Sequence, residues 1–200
     1  MLVLGLTGNI GCGKSSLSEI LSENKFKIID ADLVSREIMD DEDLLRKIYL
    51  EFGTGVKDED GKLNRKKLGG IVFGDDVKLR RLNELTHPVI NKRIMEYIET
   101  YRYDGEEVVV VDGALLIEGG FTKLVDKVLL VVCDEAEQIK RVMNRDSLTK
   151  EEALKRIESQ MAQNEKLKYA DYAIDNSDTA EELCKEACKF MNYMKENWCE

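Results

Sequence analysis

Apolar residues follow two rhythms along this chain. Short continuous runs occur at "LVLGLT" (2–7), "FKIID" (26–30), "VVVVD" (108–112) and "KVLLVVC" (127–133). The two later runs are too evenly apolar and β-branched for strands with one face in water. Together with the first they predict parallel strands covered on both sides. A weaker run, "YAIDN" (172–176), supplies a fifth strand. Between the runs, apolar residues return at helical spacing: Leu17, Ile20 and Leu21; Val34, Ile38, Leu44, Leu45 and Ile48; then Ile90, Ile94, Tyr97, Ile98 and Tyr101. "GTGVKDEDGKLN" (53–64) breaks the helical stretch as a loop. An amphipathic helix from about Ala180 to Trp198 closes the pattern.

The order is strand, helix, strand, a helical insertion over 33–104, strand, strand, helices, strand, helix. It predicts a three-layer α/β fold over 1–200 with a mainly parallel five-stranded sheet. Repeats and low-complexity segments are absent. The one proline, Pro88, gives no proline-rich linker and suits the first position of a helix.

Composition narrows the chemistry. At 200 residues and 43% hydrophobic, the chain can fill a core without disulfides. The five cysteines are odd in number and form no C-x-x-C pair. They read as free thiols in a reducing compartment, with no zinc site. Cys184 and Cys188 are expected to be core or interface thiols. The apolar start lacks a basic leader and runs into a glycine loop, so it reads as a strand rather than a signal peptide. No apolar run approaches the roughly 20 residues of a membrane span, and a cytoplasmic protein is expected. A net charge of −10 opposes broad contact with nucleic acid. A small anion would need a few cations focused at one place.

Such a place is visible. Gly8-Asn9-Ile10-Gly11-Cys12-Gly13-Lys14-Ser15 fits G-x-x-x-x-G-K-[ST] between a predicted strand and a predicted helix. Glycines let backbone N–H groups turn around phosphate oxygens, Lys14 suits β- and γ-phosphates, and Ser15 suits Mg²⁺. Cys12 holds a variable position, where its N–H matters more than its thiol.

The loop leaves the acceptor of the phosphate open. No N-K-x-D motif is present, and "DEDG" (58–61) lies in a polar turn, which weakens a GTPase reading. "DADL" (30–33) follows the second strand, on the edge that a parallel sheet shares with the loop. Asp32 is there either a base for an attacking hydroxyl or the N-cap of a helix starting at Leu33. Arg36, one turn later, either holds an anionic acceptor or is simply exposed. Arg141 and Arg145 share a helix face before a polar segment, as either lid cations or a solvated basic face. Asp112, ending its strand, could reach Mg²⁺ through water.

Taken together, "LTGNIGCGKS", "IDAD…R", "THPVI", the "LL.E" after a buried strand, "R…RD" and "AD.AIDN" resemble dephospho-coenzyme A kinases, in that family's order over positions 4–176. The resemblance implies a nucleoside-monophosphate-kinase-like fold, with 33–104 as a helical coenzyme-binding insertion and 141–165 as a helical lid. It implies phosphorylation of the ribose 3′-hydroxyl of dephospho-coenzyme A by ATP, the last step of coenzyme A synthesis. It makes Asp32 the base, Gly8 to Ser16 the triphosphate site, and Arg141 and Arg145 the lid cations. It places Asn176 near the ATP base and His87, Leu115 and Leu116 near the acceptor. Locally, His87 reads equally as structural and Asn176 as a turn residue. The family commonly has proline before the two leucines. Here Ala114 stands there, which predicts a looser loop. Rival readings are another P-loop kinase of a nucleoside, a nucleoside monophosphate or shikimate, and an ATP-dependent regulatory module. Oligomeric state is left open.

Overall fold

The computed structural model describes residues 1–199. The strands are β1 (Leu2–Gly8), β2 (Lys27–Asp30), β3 (Val108–Asp112), β4 (Lys127–Val132) and β5 (Tyr172–Asp175). The helices are α1 (Lys14–Glu23), α2 (Ala31–Glu37), α3 (Glu42–Phe52), α4 (Arg65–Val72), α5 (Asp76–Tyr103), α6 (Glu135–Asp146), α7 (Lys150–Glu158), α8 (Gln163–Lys166) and α9 (Ala180–Asn197). They form two compact units, one of Met1–Asp30 with the chain from Tyr97 onward, the other of Ala31–Glu96.

The first unit holds a five-stranded sheet in the order β2-β3-β1-β4-β5, with all four pairings parallel. The predicted mainly parallel sheet is thus wholly parallel. β1 and β3 are buried along their full lengths. Alternation divides their side chains between two covered faces. Leu2, Leu4, Leu6, Val108, Val110, Leu129, Val131 and Ile174 share one core with Leu17 and Leu21 of α1 and with Leu183, Ala187, Phe190 and Met194 of α9. Val3, Val109, Val111, Val128 and Leu130, on the opposite face, are buried too. Cys184 and Cys188 are exposed, which removes the core alternative expected for them, because α9 buries positions 183, 187, 190, 191 and 194.

Parallel pairing gathers the carboxyl ends of the strands on one edge. Asp112 lies opposite Leu6 of β1 and Asp30 of β2, so Gly8, Asp30 and Asp112 all end strands there. Such an edge, where neighbouring connections leave to opposite faces, is where open α/β sheets bind ligands.

The second unit packs Val34, Ile38, Leu44, Ile48, Leu68, Val72, Ile90 and Ile94 as buried residues of its helices. Asp41 caps α3 and Asn64 caps α4, each accepting a backbone N–H three residues on. Two local expectations are corrected here. α2 begins at Ala31, so Asp32 sits inside the first turn rather than at the N-cap. Pro88 lies inside α5 rather than at a first position. Proline removes one ladder bond and is normally a breaker. In a 28-residue helix with Thr86, Ile90 and Ile94 buried nearby, packing outweighs that loss. Thr86 Oγ1 also donates to the Leu82 carbonyl at 3.0 Å, as hydroxyls do in bent helices.

Candidate active site

The loop between β1 and α1 is shaped by backbone conformation. Gly11 and Gly13 have φ of 83° and 88°, the left-handed region that glycine alone adopts without strain. A Cβ at Gly13 would also collide with Asn176 Nδ2, and one at Gly8 would stand 2.8 Å from the Val131 carbonyl. α1 starts with no capping side chain and no acid in its first turn. Its free N–H groups and positive end are therefore directed at whatever the loop encloses. Ser15 and Ser16 are exposed in that turn. Lys14 Nζ pairs with Asp112 Oδ1, although only 17% of the lysine side chain and 9% of the aspartate side chain are exposed.

Around the outside of the loop stands a set of carboxamides, of which Asn9 and Asn176 were expected at the site and Gln138, Gln160 and Gln163 were not. Gln138 Nε2 donates to the Ile10 carbonyl at 2.8 Å, and Gln160 Oε1 accepts the Ile10 N–H at 2.7 Å. Asn176 Nδ2 donates to the Cys12 carbonyl at 2.8 Å, and Asn9 Nδ2 donates to the Met161 carbonyl at 2.8 Å. Gln163 ties Cys133 through both its N–H and its carbonyl, at 3.0 Å each. Cys12 and Cys133 lie with sulfurs 3.2 Å apart. Their hydrogen bond, with burial in support, pushes the Cys12 thiol far up, and the same contact holds Cys133 below its usual value. Single glutamines in a polar helix carry no periodicity and match no motif, so no sequence signal marks them.

α6 and α7 carry the cations. Arg141 donates to Glu137 Oε1 at 3.0 Å and to the Asn176 carbonyl at 2.7 Å. Arg145 grips Asp146 with two bonds, at 2.8 and 2.9 Å, and Arg156 of α7 takes the same carboxylate at 2.5 Å. The Arg145 bonds, aided by the Arg156 charge, hold the Asp146 carboxyl below the usual range. Arg156 is a further cation that sequence reading passed over. α7 itself starts with a capping box between Thr149 and Glu152.

The loop after β3 is pinned rather than loose, correcting the expectation drawn from its missing proline. The Ala114 carbonyl accepts from Thr7 Oγ1 at 3.3 Å and from Lys166 Nζ at 2.9 Å. Lys166 is wholly buried and also pairs with Glu118 at 3.0 Å. Leu115 is exposed, whereas Leu116 is fully buried and offers no surface to a ligand, because it packs beneath Gly5 of β1. In the Ala31–Glu96 unit, Asp32 and Arg36 are both exposed on α2. Arg36 gives its carbonyl to Arg65 at 2.8 Å. Burial lowers the pKa of His87, so at neutral pH it offers a hydrogen bond and no charge. Among the described residues no group of three or more His, Cys, Asp or Glu could hold a metal ion, and no helix is long and apolar enough to cross a membrane. Mg²⁺ needs no such cage, since it is usually held by one or two protein oxygens together with substrate phosphates. Ser15 beside Lys14 and Asp112 fits that donor set.

The chain matches known proteins over most of its length. A family model described as dephospho-CoA kinase matches residues 2–182. The chain is 43% identical over 183 residues to a dephospho-CoA kinase of Lactobacillus johnsonii, covering 91% of this chain and 92% of the relative. The solved structure of a dephospho-CoA kinase from Campylobacter jejuni matches with a TM-score of 0.73 and 32% identity, covering 97% of both chains. A shikimate kinase from Bacteroides thetaiotaomicron matches with a TM-score of 0.53 and 15% identity, covering 96% of this chain and 98% of that one, a likeness of fold alone.

Proposed function

The chain belongs to the dephospho-CoA kinase family, and on that premise we propose which of its residues carry the transfer of the ATP γ-phosphoryl group to the ribose 3′-hydroxyl of dephospho-coenzyme A. The products are coenzyme A and ADP. The observation that carries the assignment of the donor site is the loop itself: left-handed Gly11 and Gly13, an uncapped α1, and Lys14 held at the sheet edge by Asp112.

Backbone N–H groups within Gly8 to Ser16 bind the triphosphate, those of Ile10 and Cys12 being taken by Gln160 and the Asn9 carbonyl. Lys14 neutralises charge on the β- and γ-phosphates as it shifts to the leaving oxygen. Ser15 and Asp112 are the residues that would hold Mg²⁺, which supplies charge neutralisation between the phosphates when bound. Asp32 lies two residues beyond the end of β2, on a chain segment that leaves the ligand edge of the sheet. Its carboxylate takes the proton of the 3′-hydroxyl as that oxygen bonds to the γ-phosphorus and the bond to ADP breaks. Arg141 and Arg145 belong to the lid, 141–165, and steady the transferring group, with Arg145 first releasing Asp146. The helical insertion, 33–104, takes the coenzyme. Arg36 there holds acceptor phosphate, and His87 is uncharged and positions by hydrogen bonding. Leu115 lines the acceptor side.

The test is ADP release from Mg-ATP with and without dephospho-coenzyme A, with the product mass measured and shikimate and a nucleoside monophosphate in parallel. ADP formed only with dephospho-coenzyme A, with a coenzyme A product, is expected. Stimulation by another acceptor alone would overturn the substrate assignment. Asp32→Ala is expected to lower turnover about 10²-fold or more with KM for ATP unchanged, as loss of a general base does. Undiminished turnover would remove Asp32 from the chemistry.

A further inference from the structure

The triphosphate loop must present N–H groups inward, and a peptide carbonyl rotated into the same space would repel phosphate. Nothing in the loop's own glycine-rich sequence prevents that rotation, because glycine permits both orientations. The neighbours do. The Ile10 carbonyl is taken by Gln138 Nε2 at 2.8 Å, and the Cys12 carbonyl by Asn176 Nδ2 at 2.8 Å. The Ile10 N–H, which belongs to the preceding peptide, is taken by Gln160 Oε1 at 2.7 Å, so Ile10 is gripped on both of its backbone polar atoms from outside the loop. Gln138 and Asn176 are themselves buried, at 1% and 7% exposure, where a lost partner is costly. Gln160 follows directly on Ser159, the C-cap of α7. The next residue, Met161, receives the Asn9 side chain through its carbonyl and gives its N–H to Glu118 at 3.2 Å.

We propose that Gln160, with Gln138 and Asn176, is a positioning residue for ATP: these carboxamides fix the polarity of the phosphate loop, and Gln160 links that polarity to the end of α7. None of the three needs to touch the nucleotide. Gln138 and Asn176 hold carbonyls outward, which turns the N–H groups of Gly11 and Gly13 the other way, and Gln160 anchors Ile10 in the conformation this requires. Because Gln160 and Met161 sit at the foot of α7, movement of that helix is transmitted to Asn9 and Ile10 through two side-chain bonds. The inference rests on the assignment of the loop as the ATP site and not on the identity of the acceptor.

The experiment therefore reads nucleotide binding without an acceptor. Mg-ATP affinity is measured calorimetrically for the wild-type chain and for Gln160→Leu, Gln160→Glu and Gln138→Glu, with thermal unfolding alongside. Gln160→Leu removes the acceptor of the Ile10 N–H and is expected to weaken ATP about tenfold, the equivalent of one hydrogen bond. Gln160→Glu keeps an acceptor in place and is expected to lose less. Gln138→Glu replaces a donor by an acceptor facing the Ile10 carbonyl, and a larger loss is expected. In turnover, KM for ATP should rise with KM for dephospho-coenzyme A unchanged. ATP affinity equal to wild type in folded Gln160→Leu would overturn the proposal. So would equal losses for Gln160→Leu and Gln160→Glu. Gln160 is only half-buried, so these variants decide the matter even where Gln138→Glu fails to fold. A wild-type chain that binds ATP but ignores dephospho-coenzyme A would sink the substrate assignment and leave this proposal standing.

Discussion

At the scale of single residues, the site depends on groups whose charge or hydrogen bond is fixed by one close partner. Lys14 and Asp112 are such a pair, nearly removed from water. Lys14→Met is expected to lower kcat about 10²- to 10³-fold, the effect of deleting one aligned group that stabilises transition-state charge. It also strands Asp112 as a buried carboxylate, so a lower unfolding temperature should accompany the lost activity. Wild-type turnover in Lys14→Met would remove the lysine from the chemistry. Lys166 poses the same problem more sharply, being a wholly buried ammonium with one carboxylate and one carbonyl as partners. Breaking a buried pair costs more than replacing it. Glu118→Gln is therefore expected to destabilise the fold more than a surface change would, and an unfolding temperature within experimental error of wild type would contradict this. Lys14 was legible from its motif. Lys166 was not, since a lysine in "NEKLKY" reads as one more solvated charge until the fold encloses it.

At the scale of elements, α6 and α7 are joined through Asp146, which holds both Arg145 and Arg156. Its carboxyl lies below the ordinary range because it is stabilised as the anion by Arg145 and then by Arg156. A depressed carboxyl contributes stability that is fully present above the unfolded value, about 3.9, and is lost as pH falls through the lower folded value. The pairing should thus be constant from neutral pH down to about 5 and fail only below 4. A carbon-detected titration of Asp146 should give a midpoint under 3.9, and an ordinary midpoint would mean the helices are not joined there. Asp146→Asn frees both arginines. If release of Arg145 limits lid closure, KM for ATP should fall in that variant. Amphipathic spacing announced α9, and a capping box marks the start of α7 in the sequence itself. Which carboxylate the arginines would choose was open, because Asp146, Glu151 and Glu152 are all near in the chain and only folding ranks them.

At the scale of the whole molecule, the sheet is held from behind by α9, whose Phe190 packs 5.0 Å from Tyr172 and 5.8 Å from Trp198, ring centre to ring centre. Phe190→Ala is expected to cost about 3–5 kcal/mol, as other large-to-small aromatic core changes do. The folded fraction should still bind ATP with wild-type affinity, since Phe190 lies in the core beneath the sheet rather than in the loop. Weakened binding in proportion to lost stability would show that the core and the loop are not separable. The sequence by itself determined the strands, the sheet's buried character and the phosphate loop. Each is written in local terms: continuous β-branched runs such as Val108 to Val111, helical spacing, and glycines where φ must be positive. Tertiary structure alone decided the strand order, the survival of Pro88 inside a long helix, the exposure of Leu115 against the burial of Leu116, and the carboxamides that surround Ile10 and Cys12. Apart from Pro88, those outcomes depend on contacts between residues more than a hundred positions apart, such as Ile10 with Gln160. Local propensity carries no record of such partners, because a glutamine has the same preferences whether it faces water or the back of a phosphate loop.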